Sequence, residues 1–190
     1  MFYRLRHILF VLLSGILLSA AWGKFTFNIF FALVPLLQVE HDFRHCDVRF
    51  RKWKLFGLFY LAFLTWNFLT TWWIVNSTVF GAVMAIACNS LFMALVWLAF
   101  NGVARKVKPL YGYAALIAFW ISFEFLHYNW ELAWPWLALG NSLAEKPEWI
   151  QWYEYTGVFG GSLWILLANI LLFLSLKKIR AKKPALKFLI

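Results

Sequence analysis

The sequence predicts an all-α integral membrane protein, a helical bundle of about six transmembrane helices with both termini on the cytoplasmic side. Three observations carry this. Of 190 residues, 64% are hydrophobic, 22% aromatic and only 14% charged, too few polar side chains to cover a soluble globule. The apolar residues gather into runs near the roughly 20 residues that cross a hydrocarbon core about 30 Å thick. The formal charge of +10 sits between those runs and gathers on one side of them.

The first two runs, 8–22 and 25–39, are short and joined only by Gly23 and Lys24. They predict a tight hairpin whose flanking Arg4, Arg6 and Lys24 snorkel to the interface. Four longer runs follow at 53–75, 79–103, 111–128 and 158–176. With the N-terminus in the cytoplasm, sixteen of the eighteen Lys and Arg fall in cytoplasmic segments, leaving only Lys24 and Lys146 outside. That is the positive-inside pattern of six crossings. The transmembrane domain then covers 1–176, and 177–190 forms a basic cytoplasmic tail. A nucleic-acid footprint is not expected, because the cations are spread over four membrane-edge segments and form no single stripe.

The first run lacks a small-residue cleavage site and is followed at once by another span, so no removable signal peptide is expected. The expected residence is a bacterial inner membrane. Cys46 falls in a cytoplasmic loop and Cys88 inside the fourth run, too far apart to pair. Neither has a sequence neighbour that would activate it as a nucleophile. There is no glycine-rich phosphate loop, no metal-ligand cluster and no Gly-x-Ser-x-Gly elbow, so neither metal nor cofactor is expected. His7, His41 and His45 sit at the cytoplasmic edge. Phe159-Gly160-Gly161 reads as close helix packing by small residues.

The outer face holds the long connection, 129–157. Its Trp130, Trp134, Trp136, Trp149, Trp152, Tyr153 and Tyr155 prefer the headgroup zone, so it is expected to lie on the membrane surface. An aromatic belt and a lipid-handling rim are both open. Inside the membrane, Glu124 and His127 stand three residues apart on one helix face, where they can hydrogen-bond or form an ion pair. A carboxylate at that depth costs roughly 2.5 to 3.5 kcal/mol on insertion scales and needs a partner or a role. Asn67 and Asn89, with Trp72 and Trp73, are read as structural polar groups that bridge helices.

Several motifs together resemble the N-terminal membrane portion of apolipoprotein N-acyltransferase. They are Trp120-x-x-x-Glu124-Phe-Leu, then Trp134-Pro135-Trp136-Leu-Ala-Leu-Gly140-Asn141-Ser142, then Tyr155-Thr-Gly-Val-Phe-Gly160-Gly. Weaker echoes lie in 27–37 and from Trp66-Asn67 through Trp72-Trp73 to Phe80-Gly81. The resemblance implies a multi-pass inner-membrane protein whose family moves an acyl chain from phospholipid to the N-terminal diacylglyceryl-cysteine of bacterial lipoproteins. It places Glu124, His127, Trp134, Pro135, Trp136 and Asn141 in the vicinity of lipid or substrate. It also implies that chemistry belongs to a nitrilase-like domain with a Glu, Lys and Cys triad, inserted between the last two of eight helices.

Two departures shape the expectation. The chain stops at Ile190, after the sixth run, leaving no room for that catalytic domain, so a truncated chain inactive alone is expected. The alternatives are a non-catalytic lipid- or lipoprotein-binding module, or one subunit of a split acyltransferase partnered by a separate nitrilase-like chain. In the family an Arg commonly stands three residues after the Glu, where this chain has His127, so a permanent charge becomes a titratable one.

Overall fold

A computed structural model describes residues 2–44, 46, 50–131 and 133–182 of the chain. His45, Arg49, Lys183 and Lys187 of the predicted basic segments, and the tail beyond 182, lie outside the described residues. Among those described, the chain is helical throughout: α1 (Phe2–Ala21), α2 (Val34–Arg44), α3 (Arg51–Thr71), α4 (Val79–Ala104), α5 (Pro109–Asn129) and α6 (Tyr153–Lys182), with short 3-10 turns between them. Four helical stretches, Arg51–Asn76, Val79–Ala104, Pro109–Asn129 and Tyr153–Ala181, are long and apolar enough to cross a membrane, and Leu5–Ala21 is a shorter apolar helix.

The bundle is ordered by neighbour: α1 packs on α3, α3 on α4, α4 on α5 and α5 on α6, with α2 against α1 and α6. Its interior is aromatic. Trp66, Trp97 and Trp120 are fully buried, and all three rings lie around Phe63, with centroids 6.3, 6.0 and 5.6 Å away. Large apolar side chains also cover the outside, among them Leu95, Leu110 and Leu171. That is the pattern of a surface solvated by lipid, where an outward Leu costs nothing.

The second predicted run is not one helix. Residues 26–30 form a 3-10 helix, 31–33 continue as a turn, and α2 begins only at Val34. Pro35 fits the break: in the first turn of α2 its missing N–H needs no helical partner, whereas a helix running through from upstream would need that donor. At 11 residues, α2 is about 16 Å long and carries Glu40, Asp42 and Arg44, so it is not a span. The backbone groups freed by the break are met by Asn169 of α6. Its Oδ1 accepts from Leu33 N–H at 2.8 Å, and its Nδ2 donates to the Ile29 carbonyl at 2.8 Å.

At the end of the bundle bearing the basic residues, α2 and α3 are tied to α4 through polar groups. Arg44 grips Glu40 with two bonds, 2.6 and 3.1 Å, and both side chains are buried. Asn101 donates to Glu40 at 2.7 Å and accepts from Arg51 at 2.8 Å. Arg44 and Arg51, counted from sequence among the cations of the cytoplasmic segments, are therefore structural. Removing one partner of such a pair strands the other charge in the interior. Asp42 gathers Arg6, His7 and Gln38 at 2.6, 3.1 and 2.7 Å, which fixes α1 to α2.

Replacing Asn169 with Ala orphans Leu33 N–H and the Ile29 carbonyl, each worth about 1–3 kcal/mol when buried and unpaired. The N169A variant is expected to unfold in detergent at least several degrees below the parent. A midpoint unchanged within a degree would show that the break at 31–33 is not held by this contact.

Candidate functional site

Helix α5 presents Trp120, Glu124 and His127 along one buried face, with spacings of four and three residues. Glu124 and His127 do not bond to each other, contrary to the expectation from their spacing. The carboxylate turns toward Trp120 and the connection after α5, whereas the imidazole turns toward α4. Trp120 Nε1–H donates to Glu124 Oε1 at 2.8 Å, and the Leu139 backbone N–H donates to the same oxygen at 2.7 Å. Ser162 lies beside the carboxylate, but Oε2 has no partner at hydrogen-bond geometry.

His127 Nε2 lies 2.8 Å from Asn89 Oδ1, and Asn89 Nδ2 donates to Asn67 Oδ1 at 2.7 Å. Asn67 in turn donates to the Phe63 carbonyl at 2.9 Å. With the Asn89 Nδ2 turned to Asn67, its carbonyl Oδ1 faces His127 and can only accept, so His127 carries its proton on Nε2. The run from His127 through Asn89 to Asn67 thus crosses from α5 to α4 to α3 inside the membrane. Phe123 and Trp130 flank the imidazole, with centroids 4.5 and 5.1 Å away, and Nδ1 is buried without a partner.

The connection 129–157 does not lie flat on the surface. Leu137, Leu139 and Leu143 are buried, so its middle dips into the bundle. Side chains from two helices meet its backbone there. Besides the Glu124 contact, Gly140 N–H donates to Ser162 Oγ at 3.0 Å and the Tyr153 hydroxyl donates to the Gly140 carbonyl at 3.0 Å. A Cβ on Gly140 would strike the Val158 backbone carbonyl. Asn141 closes the turn, donating to the Pro135 carbonyl at 2.9 Å and facing the Tyr128 hydroxyl at 3.3 Å.

Gly157, at φ 63° and ψ −169°, breaks α6 just before the sixth predicted run and lets Tyr153 fold back toward the dipping segment. Gly160 and Gly161 open space for Trp152, Thr156 and Tyr153 of that preceding turn, not for a neighbouring helix as expected. Trp136 stays exposed, its carbonyl accepting from Trp22 Nε1 at 3.3 Å and its ring 6.2 Å from Trp73. Trp72 and Trp73 lie exposed in the 3-10 turn at the end of α3, a turn that packs against α4.

Beside this latch a cavity of about 250 Å³ lies between α4 and the connection, lined by Met84, Cys88, Asn89, His127, Glu131 and Trp134. Its walls are apolar, with the His127 and Asn89 pair at one side. Sequence reasoning missed Cys88, Ser162 and Tyr153 as parts of this region. Trp120 was legible, since an indole four residues before a buried acid on a helix stands within donor reach.

Residues 14–171 match the family model for the apolipoprotein N-acyltransferase N-terminal domain. The chain belongs to the apolipoprotein N-acyltransferase family. The match takes in α5, the dipping segment and the start of α6, so the Glu124 latch lies within the family's membrane domain. An apolipoprotein N-acyltransferase of Chlorobaculum tepidum is 30% identical over 169 residues, covering 86% of this chain and 30% of the relative. One of Geobacter metallireducens is 30% identical over 192 residues, covering 95% and 35%. The chain therefore spans about a third of the length of the curated relatives it matches. No solved structure matches it.

Glu124→Ala leaves the Trp120 and Leu139 donors buried without an acceptor, a loss of about 2–4 kcal/mol from two such groups. Hydrogen exchange at the Leu139 and Gly140 amides should then accelerate by more than about tenfold, whereas Glu124→Gln, which keeps an acceptor oxygen, should stay close to the parent. Unchanged exchange in the Ala variant would mean the dipping segment is held by its leucines alone.

Proposed function

We propose that this chain is the membrane domain of an apolipoprotein N-acyltransferase in a bacterial inner membrane, serving lipoprotein maturation. In this reading it holds the acyl chain of a phospholipid donor, or the diacylglyceryl-cysteine of a lipoprotein N-terminus, next to an acyl-transferring domain. The observation that carries it is the apolar cavity walled by Met84, Cys88 and Trp134 against the Glu124-pinned segment, inside the region that matches the family.

The physical logic is positioning. A lipid tail is flexible, and holding its reactive end in one geometry converts a chance encounter into an oriented one. A segment held at its backbone by Glu124, Ser162 and Tyr153 supplies a rigid wall for that purpose. The acyl chain leaves a bilayer that is already apolar, so selectivity comes from its packing against Met84 and Trp134 and not from withdrawal out of water. His127, Asn89 and Glu131 stand at the cavity as polar groups that an ester or amide of the substrate could meet. Neither Cys46, which is exposed, nor Cys88, which faces an apolar cavity, is assigned as the acyl-carrying thiol.

Cys88 gives a direct test. In a Cys46→Ser background, a lipophilic maleimide should label Cys88 of the purified protein. Adding phosphatidylethanolamine or a diacylglyceryl-cysteine peptide should slow that labelling by about threefold or more. Protection by neither would sink this reading of the cavity. In a full-length relative, alanine at the position of Glu124 should also lower triacylation of lipoproteins, read by mass spectrometry of their N-termini.

A further inference from the structure

At the opposite end of the bundle, α3 and α4 leave a groove of about 710 Å³ between them. Arg51 and Lys52 from the start of α3 and Arg105 and Lys106 from the turn after α4 line it, and among the described residues no carboxylate does. Arg51 is buried and fixed, its Nη1 donating to Asn101 Oδ1 of α4 at 2.8 Å. Lys52, Arg105 and Lys106 are exposed and form no salt bridge among the described residues. Gly102 keeps the wall open, with nothing within 4 Å of where its Cβ would stand.

Cations at this end are what membrane topology asks for, but topology does not ask for them to converge on one concavity. The groove is also continuous with an apolar stripe. Leu91, Leu95 and Ala99 are exposed along α4 at four-residue spacing, and that line runs from mid-membrane up to the groove. Trp53 stands exposed beside Lys52, as a headgroup-level indole does.

We propose that this groove binds the headgroup phosphate of an anionic phospholipid, with Lys52, Arg105 and Lys106 around the phosphate and the acyl chains along the Leu91, Leu95 and Ala99 stripe. A free phosphate ion would make no use of the stripe. A zwitterionic headgroup would bring an ammonium into a groove that offers it no acid. The site is separate from the cavity at Cys88, because Gly102 lies fourteen residues further along α4, about 21 Å away. Its success or failure is therefore independent of the acyltransferase reading.

The test is native mass spectrometry of the delipidated chain titrated with phosphatidylglycerol, phosphatidylethanolamine and inorganic phosphate. Phosphatidylglycerol should bind about tenfold or more tighter than phosphatidylethanolamine, and K52Q/R105Q/K106Q should lose about tenfold or more of that affinity. K177Q/K178Q/R180Q, with the same change in charge elsewhere, should keep it. G102L, which fills the groove without touching charge, should lose it as the triple does. Equal loss in the two triple variants, full binding by G102L, equal affinity for the two lipids, or displacement by millimolar phosphate would each overturn the proposal.

Discussion

The architecture turns on one oxygen atom. Glu124 Oε1 accepts from the indole of its own helix and from the backbone of a segment fifteen residues further on. A carboxylate at this depth is expensive, and a backbone amide folded back into a bundle is equally out of place without an acceptor. Each reduces the other's penalty. The bond does more than lock a loop, because Leu137, Leu139 and Leu143 can be buried only once the amides between them have somewhere to go. The acid shares this role with Ser162 and Tyr153, which meet the backbone of Gly140.

Around that contact the bundle divides its labour by depth. The middle is aromatic, with three indoles around Phe63, and is insulated from lipid by aliphatic faces that need no polar cover. One end carries the amide run from His127 to Asn67 and the cavity beside it; the other carries the Glu40 and Arg44 pair with its asparagine and second arginine. Such side chains rarely add much net stability in hydrocarbon, where averages fall near 0.6 kcal/mol per bond. Their value is register. Three helices connected through Asn67, Asn89 and His127 cannot slide past one another without stranding an amide.

Much of this was legible in the residues. Composition and run length gave the helical membrane class, and the four long apolar helices fall on the predicted runs with boundaries shifted by a few residues. The family emerged from the Trp120 to Gly161 motifs. What the residues did not disclose follows from contacts that no local pattern encodes. The apolar run 25–39 looks like a span until Pro35 and the distant Asn169 are considered together. Glu124 and His127 look like a pair because three-residue spacing puts them on one face, yet each has a better partner on another element. Trp72 and Trp73 sit in an apolar run, and only the end of α3 places them outside the packed interior. Leu139 could not be identified as a donor to Glu124 from sequence, since its role is played by its backbone.

The Asn169 contact bears on how the chain is built. Asn169 reaches back across 136 residues to the Leu33 amide and 140 to the Ile29 carbonyl. During synthesis the N-terminal segment therefore emerges long before the side chain that completes it. Until the last described helix arrives, the kink at 31–33 must keep its bare amide and carbonyl near water at the bilayer edge or borrow partners from the insertion machinery. Closure of this part of the bundle thus waits on α6, whose docking withdraws the kink from solvent. An interruption of translation before Asn169 would leave a membrane intermediate with an unsatisfied backbone, a natural mark by which quality control could recognise an unfinished chain.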